Sequence, residues 1–135
     1  MHRRGDKVIL KGRKISSGIA SGECLVSTQP ISFYGGVDPD TGTIVEKGHP
    51  LEGKSISGKI LVFPSGKGST VGSYTIYRMK KNKTAPKAMV LKECEAIVAV
   101  GAIIANIPCV DKIKIEKIKN HSKIKVDADK GWVEI

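Results

Sequence analysis

The apolar positions fall into two kinds of run, short unbroken blocks and longer stretches spaced by three and four. The blocks at 7–13, 23–27, 60–63, 88–91 and 107–110 are bounded by charge, glycine or proline and predict strands. Two of them, Ile60-Leu61-Val62-Phe63 and Ala88-Met89-Val90-Leu91, are short, compact strands with no polar position. Ser16-Ser17-Gly18-Ile19-Ala20-Ser21-Gly22 is turn-rich and separates the first two strands. Residues 70–81 place Val71, Tyr74, Ile76, Tyr77 and Met79 on a partly amphipathic helix. Residues 94–105 place Ile97, Val100, Gly101 and Ile104 at i, i+3, i+4 and i+7 of a second one. Each helix follows a strand, which makes two β-α units. Lysine and isoleucine alternate over 112–119, the pattern of a half-buried strand with a solvated face. Strands at 123–126 and 132–135 flank Asp127-Ala128-Asp129-Lys130-Gly131, a hairpin signal.

Residues 29–53 are loop-like, with Pro30, Gly35-Gly36, Asp38-Pro39-Asp40-Thr41-Gly42 and His49-Pro50, interrupted by short apolar runs at 31–34 and 43–45. Irregular segments of that length inside a compact domain tend to carry function. The whole reads as one α/β domain over residues 1–135, a β-rich layer wrapping a sheet with at least two helices, and with residues 1–11 as a loose N-terminal extension.

A chain of 135 residues with 40% hydrophobic and 27% charged positions fits a single globular unit. Cys24, Cys94 and Cys109 stand 70 and 15 residues apart with no C-x-x-C pair, so neither a disulfide framework nor a zinc site is indicated, and a reducing cytoplasm is expected. The charged N-terminus is followed by only three apolar residues, too few for a signal peptide or membrane span. The formal charge of +10 invites a nucleic-acid reading, but only four of the 23 basic residues are arginine and aromatics make up 4% of the chain. Base readout and stacking favour those residue types, so the lysines read as solvated faces rather than a nucleic-acid surface.

Candidate chemistry concentrates at 58–70, where a strand runs into Pro64-Ser65-Gly66-Lys67-Gly68-Ser69-Thr70. Gly66 and Gly68 permit positive φ, and a helix start near Ser69 turns free amides and a positive dipole end toward one point. Such a turn either holds an anion or is only a capped helix start, since Ser and Thr are ordinary N-caps. The spacing is not that of a nucleotide-binding loop, because Gly68 separates Lys67 from Ser69. His2, His49 and His121 read as surface residues away from the turn, so a serine hydrolase lacks its base and a phosphocarrier lacks its histidine. Carboxylates are sparse nearby. Were Ser69 catalytic, its partners would come from another polypeptide.

The segments 12–18, 26–33, 35–39, 49–53, 58–64, 66–70 and 85–86, together with the order in which they occur, resemble the small subunit of the aconitase X family from about Gly12 to the C-terminus. The resemblance implies a swivelling β/β/α domain like the mobile domain of aconitases. It also implies a heterodimer with a larger subunit that carries a [4Fe-4S] iron-sulfur cluster, none being bound by this chain. The implied reaction is loss of water from mevalonate 5-phosphate to give trans-anhydromevalonate 5-phosphate in the archaeal isoprenoid route. Relatives of this architecture dehydrate hydroxyproline, which stands as the alternative substrate, and a non-enzymatic basic or swivelling module is the alternative of another class. Carried onto this chain, the proton-accepting serine is Ser69, with Ser65 the weaker candidate. Gly66, Lys67, Gly68 and Thr70 fall to anion stabilisation or turn geometry, and Ser32, Gly35, Gly36 and Asp38 to a second wall. The family places the cluster ligands on the large subunit, which leaves Cys24, Cys94 and Cys109 as small buried residues.

Overall fold

The computed structural model describes residues 7–135; residues 1–6, with His2 and the start of the expected extension, lie outside the described residues. In chain order the elements are β1 (Ile9–Lys11), β2 (Arg13–Ser16), β3 (Ile19–Val26), β4 (Ile31–Ser32), a single broken turn α1 (Phe33–Gly36), β5 (Val37–Asp38), β6 (Thr43–Ile44), β7 (Ile60–Phe63) and β8 (Gly66–Lys67). They continue with α2 (Gly72–Lys81), β9 (Ala88–Leu91), α3 (Ala96–Ala105), β10 (Cys109–Asp111), a 3-10 turn at Ile115–Lys117, β11 (Lys123–Asp127) and β12 (Trp132–Glu134).

Two sheets share β3. Its first half, Ile19 to Glu23, pairs antiparallel with β11, which continues through β12 to β1. Its second half, Cys24 to Val26, pairs parallel with β7, followed by β9 and β10, and β2 closes that edge antiparallel. Strand period then sorts the side chains. Ile60 and Val62 of β7, with Ala88 and Val90 of β9, face the antiparallel sheet and its Ile124, Val126 and Val133. Leu61, Phe63, Met89 and Leu91 face the other way, onto Ile76 and Met79 of α2 and Val98, Ala102 and Ala105 of α3. Three layers, β/β/α, follow from two strands with no polar position to offer solvent.

Several expected elements differ. Residues 7–13 form two strands rather than one, because the chain breaks at Gly12, whose N–H binds Gly131 O (2.8 Å), and sends β1 to β12 but β2 to β10. The expected turn at 16–22 is largely strand: Ile19 to Gly22 find ladder partners in β11, and distant pairing overrides the local preference of Ser and Gly. Residues 112–119 are not a strand. Lys112 has φ 61° and the chain closes local turns, yet Ile113, Ile115 and Ile118 still plug the inter-sheet core while the lysines stay outside.

The buried faces of both helices match the expected ones only in part, at Ile76 and Met79 of α2 and at Gly101 of α3. In α2, Ile76 and Met79 are buried with Gly72, Ser73 and Thr75, while Tyr74 is 69% exposed. In α3 the buried face is Val98, Gly101, Ala102 and Ala105, and Val100, Ile103 and Ile104 point outward. With Ala-Ile-Val-Ala-Val-Gly-Ala-Ile-Ile-Ala apolar on every side, α3 offers no polar face for periodicity to read. The small residues go inward because the two helices pack closely there.

Candidate active site

Between β7 and α2 the chain makes the turn singled out in the sequence. β8 pairs parallel with β4, setting Ser32 opposite Lys67 and fixing the 29–36 segment beside the turn. Of the two glycines in the turn, Gly68 has positive φ, at 91°, and Gly66 does not. Gly66 is required for a different reason: a Cβ there would stand 2.5 Å from Glu95 Oε1 and 2.6 Å from Val98 Cγ2. The space is taken by a carboxylate that works twice. Glu95 Oε2 accepts from Ile97 N (2.9 Å), capping α3, and Oε1 accepts from Gly66 N (3.1 Å), tying the turn to the start of α3.

Ser69 is exposed, and its Oγ accepts the Val71 N–H (3.1 Å) while its carbonyl accepts the Gly72 N–H (2.9 Å). The N–H groups of Ser69 and Thr70 have no acceptor among the described residues. The turn therefore presents two unpaired amides, a hydroxyl oxygen already receiving one N–H, and the positive end of α2.

On one side of Ser69 lies a cavity of about 420 Å³ lined by Ser32, Tyr34, Gly35, Gly36, Glu46, Lys67 and Gly68. Ser32, Gly35 and Gly36 of the proposed second wall thus meet Lys67 and Gly68 across one space. The Ser32 hydroxyl donates to Tyr34 O (3.0 Å), which holds its oxygen against Gly68. Asp38 is not among the lining residues; its Oδ1 accepts from Asp40 N (2.9 Å) and shapes the β5–β6 turn instead. On the other side, Thr70 opens an apolar groove of about 280 Å³ between α2 and α3, with Val71, Ser73, Tyr74, Ala96, Ile97 and Val100. Both flanks belong to the same end of the helical layer.

Sequence reading missed Glu46, Tyr34 and Glu95, and the turn is richer in carboxylate than expected. Glu46 Oε2 takes the Lys67 ammonium at 2.8 Å. His49 is not a surface residue: Nδ1 accepts from Leu51 N (3.0 Å), and Nε2, facing Pro30 O at 3.0 Å, is the protonated nitrogen. With both nitrogens engaged it braces the long loop and has no base chemistry to offer. His121 is exposed, beside Glu23.

Among the described residues no three His, Cys, Asp or Glu side chains converge on a point that could hold a metal. Cys24 lies in the inter-sheet core and donates to Lys119 O (3.1 Å), whereas Cys109 is buried under the helices. The neighbouring Cys94 thiol and burial push the Cys109 thiol well above its ordinary range. Asp111, fully buried, is spent on a two-point pair with Arg13 (2.9 and 2.8 Å) and on Cys94 N (2.9 Å). No described helix is long and apolar enough to cross a membrane.

Comparison with known proteins places this arrangement. The Thermococcus kodakarensis phosphomevalonate dehydratase small subunit is 59% identical over 93% of this chain and 95% of its own length, and the Methanosarcina acetivorans protein of the same name is 55% identical over 93% and 90%. The crystal structure of Thermococcus kodakaraensis aconitase X, holo-form, superposes with a TM-score of 0.93 at 58% identity, covering 95% of this chain and 98% of that one. A family model, the aconitase X swivel domain, matches residues 9–135, and the chain belongs to that family.

Proposed function

We propose that this chain is the small subunit of a phosphomevalonate dehydratase, a hydro-lyase that removes water from mevalonate 5-phosphate. Ser69 accepts the proton in a site completed by a large subunit in the cytoplasm. What carries the reading is the state of Ser69: exposed, at the mouth of a ten-residue helix, with Val71 N–H on its oxygen and two unpaired amides beside it. In the elimination, the C–H pair next to the carbinol carbon becomes the second bond of the alkene, the proton goes to Ser69 Oγ, and hydroxide leaves the neighbouring carbon. Serine is a weak base at neutral pH. Its alkoxide needs donors already in place, and here Val71 N–H and the helix dipole supply them without reorganisation.

The iron-sulfur cluster expected on the large subunit supplies, when bound, a Lewis acid for the departing hydroxyl. The residues of this chain do the rest: the Gly68–Thr70 backbone binds negative charge, and the cavity beside Lys67 takes the anionic end of the substrate. The helical layer supports a partner at this place, because the groove that begins at Thr70 runs past exposed Val71, Tyr74 and Val100, and α3 also exposes Ile103 and Ile104. A polypeptide seated there would cover the apolar face and exclude water from Ser69 in one contact. A hollow of about 390 Å³ on the antiparallel sheet, lined by Lys7, Lys123, Lys125 and Glu134, lies apart from the turn and is read as solvated surface.

The test is co-expression with the large subunit, anaerobic reconstitution of the cluster, and assay of mevalonate 5-phosphate dehydration. Ser69→Ala is expected to lose about 10² to 10⁴ of the turnover while the complex still assembles. Undiminished turnover in that variant removes Ser69 as the base.

A further inference from the structure

Glu46 and Lys67 meet in the wall of the cavity beside Ser69, and they are the one carboxylate and the one ammonium among its lining residues. Their ion pair is 2.8 Å long, with side chains 47% exposed for Lys67 and 29% for Glu46. The two partners are not equally free. Glu46 sits on a segment pinned on both sides, by Val45 N to Gly36 O (2.9 Å) and by His49 N to Glu46 O (3.3 Å). Its carboxylate also lies against Gly36, where a Cβ would stand 3.3 Å from Oε1. Lys67 is a long, half-exposed chain on a two-residue strand. When the pair opens, the lysine is the part that moves.

We propose that Glu46 is an internal competitor for Lys67: it holds the ammonium at the cavity wall in the empty site, and an anionic substrate group takes Lys67 from it. This rests on the reading of the Ser69 turn as a site for an anion. The pair neutralises the cavity before binding, so the affinity for an anion is set by the difference between its contact with Lys67 and that of Glu46. The fixed carboxylate also repels an anion that has entered. Both effects have one sign, so removing the charge of Glu46 tightens anion binding. The same repulsion favours departure of the product, which is as anionic as the substrate. Glu46 therefore acts through Lys67 and is a positioning residue rather than a catalytic one.

The experiment is titration of the full chain with inorganic phosphate at constant ionic strength, following the amide resonances of Lys67 to Thr70. Wild type, Glu46→Gln, Lys67→Gln and the double variant are compared. Glu46→Gln is expected to lower the dissociation constant about two- to fivefold, the range of a partly exposed ion pair. Lys67→Gln raises it, and in the Lys67→Gln background the Glu46 substitution loses most of its effect. If phosphate binds but Glu46→Gln leaves the constant unchanged or raises it, or if its gain persists in full without Lys67, the competitor role is overturned while the anion site stands. If phosphate moves no amide of the turn in any variant, the anion reading of the turn falls and the role of Glu46 falls with it.

Discussion

The two outer faces of the molecule are built on opposite terms. The antiparallel sheet carries Lys11, Lys123 and Lys125 outward over a closed core, whereas α3 exposes Val100, Ile103 and Ile104 with no charge on the helix. The strong positive charge of the chain would send a search for function to the lysine face. The turn with the unpaired amides, the cavity and the apolar groove all lie at the other, where α3 carries no charge and the cations of α2, Arg78, Lys80 and Lys81, gather in its last turn, away from Ser69. In this protein net charge describes a solvated sheet, and the missing polar face of a helix marks the surface proposed above for a partner.

The comparison breaks most visibly if the core under the helices is opened. Phe63 is fully buried and edge-on to Phe33, with ring centroids 6.0 Å apart. Phe63→Ala is expected to cost about 3–5 kcal/mol in denaturant unfolding. On the outer side of the same layer Ile103, 55% exposed, is expected to behave oppositely. Ile103→Asp changes unfolding by less than about 0.5 kcal/mol, yet weakens retention of the co-expressed large subunit about tenfold or more in pull-down. Equal retention would move the partner surface elsewhere.

The smallest effect belongs to the solvated face. Glu23 binds Lys59 and His121 at 3.0 Å each, and these hydrogen bonds, that of Lys59 first, hold its carboxyl below the usual range. A carboxyl whose folded pKa is depressed stabilises the fold above its unfolded value and loses that contribution as pH falls through the folded one. The melting temperature of Glu23→Gln is therefore expected to lie slightly below wild type at pH 7, with the gap closing at pH 3. A gap that persists in acid assigns the effect to packing rather than charge.

What the sequence made legible is what local pattern can carry. β7 and β9 stand where their apolar blocks stand, and Ser69 stands in the turn that leads into α2, three residues before Gly72 and ahead of the N-cap Val71 rather than at the helix start itself. The first half of β3 was illegible because its hydrogen bonds come from β11, with Ile19 opposite Asp127. No window over Ser and Gly contains that partner. The buried face of α3 was illegible for a different reason, since an apolar residue at every position gives the period nothing to modulate. Glu95 had a signal, an acid directly before a helix. Glu46 had none: it reaches Lys67 through the fold, from a loop whose composition gives no register.

β3 belongs to both sheets, and its outer partner β11 lies near the end of the chain. During synthesis, the helical layer and the parallel strands through β10 therefore leave the ribosome before the antiparallel sheet can be assembled. Until Ile113, Ile115 and Ile118 and then β11 and β12 emerge, Ile60, Val62, Ala88 and Val90 lack the far wall of the inter-sheet core, so the nascent chain carries an apolar sheet face that only residues after β10 can close.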